Sequence, residues 1–270
     1  AGLLIGSGFV WSALWIVAAV GIVTTIYLAL TEPSIKRLCI GSLTTWTVKS
    51  LMALVWFWST YPIDWLPVGE PVIQVILIGV WWGTAALWLG FGGVVFAAGV
   101  WLLQKYSVRN IVFILIPPLW ILSEMAGSLI FSVITIGPGG SITTAFSFGY
   151  VGYLLAQHDL LLQVARIAGV YALGVFLVGF SVACVWVLLH KRSQVPYVYV
   201  ALILLFLTSF VSMPTIQSEE DSYTVAVINT SFDLNDLLDD LGRGRVQANI
   251  ESAMQAALLL ESDYILLPED

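Results

Sequence analysis

Long apolar runs separated by short polar stretches make up most of the chain. A helix needs about 20 apolar residues to cross the hydrocarbon core of a membrane. Runs of that length predict six spans, at residues 3–30, 38–60, 71–103, 110–136, 164–189 and 196–213. The first run is too long for a cleaved signal peptide. Six spans whose basic loops face the cytoplasm would start outside, so we expect either that the first 30 residues form a hairpin of two helices, or that a further span precedes them.

The pattern changes near residue 217, where short runs rich in β-branched residues replace the long apolar ones. Residues 223–229 and 263–268 predict two strands. Between them, apolar residues recur at intervals of four and three, which predicts one face of a helix: Val246, Ile250, Ala253, Ala257 and Leu260. Strand, helix and strand in this order normally give a parallel pair. The second strand ends at Pro268 and Glu269, where α/β proteins place functional residues, although a polar exit from a strand also fits.

Composition identifies the class of protein. Hydrophobic residues make up 59% of the 270 residues, charged residues only 10%, and the mean hydropathy is +0.95. Ordinary soluble domains carry about a quarter charged residues, so the sequence predicts a polytopic membrane protein. Residues 1–216 carry eight basic and five acidic residues, whereas residues 217–270 carry two and twelve. We therefore predict a helical membrane domain over 1–216 and an acidic, water-facing domain over 217–270.

The distribution of charge also predicts orientation. Basic residues cluster at 36–37, 105–109 and 191–192, and acidic residues occupy the alternate loops. The positive-inside rule puts the basic loops in the cytoplasm and the acidic C-terminal domain outside. We expect a multi-pass protein of the cytoplasmic (inner) membrane, with the membrane as a partner and no nucleic acid.

Two charges near or within the spans need an explanation, because charge is costly in hydrocarbon. Glu124 lies in the middle of the fourth span, and Arg166 lies at the start of the fifth. A structural glutamate satisfied by a neighbouring helix is one interpretation, and a polar lining that admits a lipid headgroup is the other. The glycine-rich residues 89–93 predict close helix packing. Cys39 and Cys184 are expected to be small core residues.

The acidic strand end and the fourth span carry a resemblance to a known family. The run from Asp263 to Pro268 and Glu269 resembles the start of a nitrilase (carbon–nitrogen hydrolase) domain. The order Pro-x-x-Trp-x-x-x-Glu ending at Glu124, and Phe148-Gly-Tyr150, are similar to segments of apolipoprotein N-acyltransferases. The resemblance covers roughly residues 108–270 and includes an external loop, expected at 137–163. The chain departs from the family by lacking an arginine soon after Glu124 and by having Gly137-Pro-Gly-Gly140 in place of a Gly-Phe-Pro-Trp turn.

The resemblance implies a membrane bundle followed by the first β-α-β of an α-β-β-α sandwich. It implies a cysteine nucleophile, a lysine that stabilises the oxyanion, and Glu269 as the general base. It also implies substrate-binding roles for Glu124 and Tyr150, a phospholipid acyl donor, a lipoprotein acceptor, and no metal or organic cofactor. The lysine and cysteine would follow residue 270. Because the chain begins with Ala1 and stops within the motif at Asp270, we expect a fragment that is inactive by itself.

Two other interpretations stay open. The first is a membrane-anchored nitrilase-family amidase or acyltransferase with a different acceptor. The second is a non-catalytic transporter or scaffold. Transporters place paired polar residues and broken helices near the middle of the membrane, and the sequence shows one mid-span acid, Glu124, and no internal repeat. The oligomeric state is left open.

Overall fold

The structure is a computed structural model that describes residues 1–63, 69–107, 109–136, 142–144, 146–156 and 159–189, with short pieces at 225–227, 244, 247–252, 254–255 and 264–266. Its contacts divide the chain into two compact units. One unit comprises residues 1–62 and 70–212, and the other comprises residues 63–69 and 213–270.

Six helices form the described part of the first unit: α1 (Gly2–Val10), α2 (Trp15–Thr31), α3 (Ile35–Ala53), α4 (Pro71–Tyr106), α5 (Arg109–Thr135) and α6 (Asp159–Leu189). Short 3-10 turns cover Ser12–Leu14, Val55–Thr60 and Val151–Leu155. Four described segments are long and apolar enough to cross a membrane: Ser12–Thr31, Pro71–Tyr106, Ile111–Thr135 and Gly169–Leu189. The protein is therefore a multi-pass membrane protein.

The predicted spans agree with these helices in part. The spans at 71–103, 110–136 and 164–189 lie within or close to α4, α5 and α6. The span at 38–60 is wrong in its extent, because helix α3 stops at Ala53 and a 3-10 turn follows. Helix α3 is also not one of the four long apolar segments, since its serines, threonines and Lys49 lower its hydropathy. The span at 196–213 lies outside the described residues.

The first 30 residues form two helices that pack against each other, which confirms the hairpin alternative. Helix α1 ends where Trp11 takes an extended backbone conformation, with φ −129° and ψ 103°. Nine residues of α-helix extend only about 14 Å. Helix α1 is therefore too short to cross a bilayer alone.

Helix α4 lies against both α3 and α5 through its glycines. A Cβ on Gly93 would lie 2.5 Å from the backbone oxygen of Ser42 in α3, and a Cβ on Gly92 would overlap the backbone oxygen of Ser123 in α5. These backbones can approach so closely only because glycine has no side chain. The predicted close packing at residues 89–93 is confirmed, and it fixes α3 and α5 relative to α4.

Residues 146–156, which we call the re-entrant segment, return into the bundle after α5. Val151 donates its backbone N–H to Glu124, and Glu124 lies eleven residues before the end of α5 at Thr135. That separation corresponds to about 17 Å of helix. The external loop predicted at 137–163 is therefore wrong over this segment. Its run of Phe, Tyr, Val and Leu is too short to span a membrane, but it is apolar enough to be buried in the bundle.

The second unit contains two short described strands, β1 (Val225–Val227) and β2 (Tyr264–Leu266). They pair in parallel, with Val225 opposite Tyr264 and Val227 opposite Leu266. Residues 247–252, between them in sequence, are helical. The nitrilase-like β-α-β unit stays a prediction, since one short parallel pair does not define a nitrilase domain, and residues 263 and 267–270 lie outside the described part.

Candidate functional site

The membrane bundle contains a buried ion pair between α3 and α5. Lys49 Nζ lies 2.7 Å from Glu124 Oε1, and the two side chains are only 3% and 1% exposed. An unpaired charge in such a place would be costly, and the opposite charge offsets much of that cost. The structural interpretation of Glu124 requires a partner from a neighbouring helix, and Lys49 of α3 is that partner.

Aromatic rings enclose this pair. Trp46 lies one turn before Lys49 in α3, and the lysine nitrogen lies 5.4 Å from the centre of its ring. Trp120 lies one turn before Glu124 in α5 and donates its indole N–H to Glu124 Oε1 at 3.2 Å. The two indoles are 4.3 Å apart. Residues spaced three or four apart share one helix face, so each helix contributes one charge and one ring to the same enclosure.

One oxygen of Glu124 makes all its described hydrogen bonds. Oε1 accepts from Lys49 Nζ, from the Trp120 indole and from the backbone N–H of Val151, the last at 3.2 Å. Oε2 is buried and has no hydrogen-bond partner within the described part of the chain. The three donors come from α3, α5 and the re-entrant segment, so a single oxygen atom joins three parts of the fold.

Tyr150 forms a second polar link, one turn of α5 from the ion pair. Its hydroxyl lies 2.8 Å from Ser128 Oγ, and Ser128 donates its own hydrogen to the carbonyl oxygen of Phe146 at 2.6 Å. Because a serine hydroxyl has one hydrogen, Tyr150 must be the donor to Ser128. Burial raises the pKa of the Tyr150 phenol above its ordinary value, which keeps this hydroxyl protonated and able to donate.

Aromatic side chains attach the start of the re-entrant segment to the bundle. The ring of Phe146 packs edge-on against Phe131 of α5 at 5.4 Å. Phe148 lies 6.1 Å from both Phe131 and Trp56. The outer face of the segment carries a hydroxyl pair, Ser147 and Tyr153, with oxygens 2.6 Å apart. The segment thus has a buried face towards Glu124 and an exposed polar face.

The structure brings together two of the three site residues predicted from sequence. Glu124 and Tyr150 lie at neighbouring positions in one polar group, although both are buried, with 4% and 2% exposed. Their substrate-binding roles stay a prediction. Glu269 lies outside the described residues, as do residues 137–140 and the side chain of Arg166. No group of three His, Cys, Asp or Glu side chains that could hold a metal occurs in the described part.

Lys49 is the site residue that the sequence analysis missed. The signal was available, since Lys49 is a lysine inside a predicted span.

The fold and the buried pair together define a multi-pass membrane protein with an ion pair inside a largely apolar bundle. Comparisons with protein families, with curated proteins and with solved structures find no match to this chain.

Proposed function

We propose that the protein is an apolipoprotein N-acyltransferase-like enzyme. It would move an acyl chain from a membrane phospholipid, through a cysteine thioester, to the N-terminal amine of a lipoprotein. One observation carries the proposal: the two membrane segments that resemble the family, around Glu124 and Tyr150, are joined in the bundle by contacts between residues 22 and 27 positions apart. Convergence of this kind is expected if both segments serve one site.

The proposed chemistry assigns one step to a residue of this chain. Glu269 takes the proton of the cysteine thiol, and the thiolate attacks the ester carbonyl carbon of the phospholipid. A lysine stabilises the oxyanion, and the lysophospholipid alkoxide leaves with the proton from Glu269. The acceptor amine then attacks the thioester and releases the thiol. The resemblance implies that a lysine and a cysteine of the same catalytic domain take these two roles.

The membrane bundle has a physical purpose in this proposal. Donor and acceptor are both held in the membrane by acyl chains, and confinement to a plane raises their effective concentration at the site.

The orientation is part of the proposal. Helices α3 and α4 are antiparallel, because Ser42 faces Gly93 and Thr47 faces Gly90. The start of α3, with Lys36 and Arg37, and the end of α4, with Lys105, therefore lie on the same side of the bundle. The positive-inside rule makes that side cytoplasmic. If α5, α6 and the span predicted at 196–213 each cross the membrane once, the catalytic domain that follows lies on the extracytoplasmic side of the inner membrane.

A second candidate function is transport. Lys49 and Glu124 pair within the bundle, the chain breaks at Trp11 between α1 and α2, and the re-entrant segment donates a hydrogen bond to Glu124. Paired polar residues and broken elements within a membrane bundle are features of transporters. This candidate requires no thioester.

The test uses the full-length protein in phospholipid nanodiscs with a phospholipid that carries a labelled acyl chain. We expect label on the protein that hydroxylamine removes, and Glu269→Gln should abolish it without reducing the amount of folded protein. A matched control is Glu251→Gln, an exposed glutamate that bonds Gln247, which should retain the label. Absence of hydroxylamine-sensitive label on the wild type would refute the acyltransferase proposal and leave transport as the candidate.

A further inference from the structure

The backbone N–H of Val151 binds the same carboxylate oxygen as Lys49. Val151 is fully buried and begins the 3-10 turn Val151–Leu155 of the re-entrant segment. We propose that Glu124 is a positioning residue: Lys49 offsets its charge, and its carboxylate oxygen holds the re-entrant segment in the bundle through the Val151 amide. Its effect on acyl transfer rests on the proposed function, whereas its effect on the segment does not.

The geometry favours positioning over direct contact with a substrate. Glu124, Tyr150 and Val151 are 4%, 2% and 0% exposed, so a ligand at the protein surface does not touch them. The neighbouring Tyr153 is 47% exposed and shares a hydrogen bond with Ser147 on the outer face. Displacing the buried face would therefore move the exposed hydroxyl pair.

The carboxylate is itself held on more than one side. Lys49 reaches it from α3, and the Trp120 indole reaches it from the preceding turn of α5. Contacts between Trp46 and Trp120 close the space around it. A buried amide that loses its acceptor is costly, so an acceptor in a fixed position stabilises the buried conformation of the segment.

Three double variants distinguish the effect of the hydrogen-bond acceptor at position 124 from the effect of the two opposite charges. Lys49→Met with Glu124→Gln removes both charges but keeps a carbonyl oxygen that can accept from Val151. Lys49→Met with Glu124→Leu removes the charges and the acceptor, at similar side-chain volume. Lys49→Glu with Glu124→Lys keeps opposite charges but puts a lysine, which has no acceptor, at position 124. Replacing a buried ion pair by uncharged groups of similar size is often nearly neutral for stability, so the first two variants should fold.

Hydrogen–deuterium exchange of peptides within 146–156, measured by mass spectrometry on the full-length protein in nanodiscs, reports on the Val151 amide. We expect the Gln variant to exchange like the wild type. The Leu variant and the charge swap should exchange at least about tenfold faster, since a buried hydrogen bond to a fixed acceptor is lost. Lys105→Met, which removes an exposed lysine that packs on Trp101, is the control for loss of a charge and should leave the exchange unchanged.

Two results would overturn the proposal. Equal exchange in the Gln and Leu variants would show that the acceptor does not hold the segment. Wild-type exchange in the charge swap would show that opposite charges alone suffice. Acyl-enzyme formation is measured on the same samples and should be faster in the Gln variant than in the other two. If the wild type forms no acyl-enzyme, the proposed function fails, while the exchange data still decide the positioning role.

Discussion

Gly93 offers a direct test of how the bundle is assembled. A Cβ on this residue would lie 2.5 Å from the backbone oxygen of Ser42 and 3.1 Å from Cβ of Trp46, both in α3. Ordinary contacts of a Cβ begin at 3.4 Å, so Gly93→Ala requires α3 to move by about 1 Å, as backbone cannot turn aside like a flexible side chain. Gly83 lies on the same helix, and a Cβ added there would meet nothing within 4 Å, which makes Gly83→Ala the matched control.

The magnitude follows from two opposing effects. Alanine gains about 1 kcal/mol over glycine in a helix, and both variants share this gain. Forcing an extra methyl group into a packed interface costs about 1–3 kcal/mol, and only Gly93→Ala meets that cost. We therefore expect Gly93→Ala to be less stable than Gly83→Ala by about 1–3 kcal/mol, with Gly83→Ala at or above the wild type.

Denaturant titration of the protein in mixed micelles, followed by tryptophan fluorescence, measures this difference. Moving α3 also shifts Trp46 and Lys49, so Gly93→Ala should accelerate exchange of the re-entrant segment. Equal stability of the two alanine variants would refute the argument that the α3 and α4 backbones touch at Gly93.

Three further predictions concern the polar group around Glu124. Trp120→Phe replaces the buried indole by a smaller aromatic ring and removes a hydrogen bond to a charged group. Loss of that hydrogen bond should cost about 1.5–3 kcal/mol in the same titration, and Trp101→Phe is the control for the change in ring size. Tyr150→Phe should cost about 0.5–1.5 kcal/mol at a pH of about 8. The pKa of Tyr150 is higher in the folded than in the unfolded protein. The Tyr150 hydroxyl therefore contributes fully to the free energy of unfolding below the unfolded pKa of about 10, and this contribution declines as the pH rises further. The stability difference between wild type and Tyr150→Phe should therefore shrink above a pH of about 10, and a gap that widens there would contradict the assignment.

Local patterns in the sequence predicted the features that depend on neighbours along the chain. The lengths of α4, α5 and α6 follow from apolar runs, and the contacts of Gly90, Gly92 and Gly93 follow from a cluster of small residues within a span. Glu124 was identified because a carboxylate in such a run demands a partner.

Features that depend on distant residues were not predictable in the same way. Lys49 and Glu124 are 75 positions apart, and no spacing rule states which faces of two separate helices meet. The resemblance predicted that the re-entrant segment lies in an external loop. Its burial instead depends on contacts with residues more than 20 positions away, of the Val151 amide with Glu124 and of the Tyr150 hydroxyl with Ser128. The prediction for Glu269 rests on a sequence motif, and Glu269 itself lies outside the described residues.

Helix α4 has 36 residues, which corresponds to about 54 Å. Even at a tilt of about 40°, the upper end of the observed range, it would extend about 41 Å along the membrane normal, against a hydrocarbon thickness of about 30 Å. The first turns of α4 expose Val72, Ile73 and Ile76. These apolar side chains would lie among the lipid headgroups unless the bilayer thickens locally around the helix. The protein should therefore sort into thicker bilayers, and its melting temperature should rise with lipid chain length from about 14 to about 20 carbons.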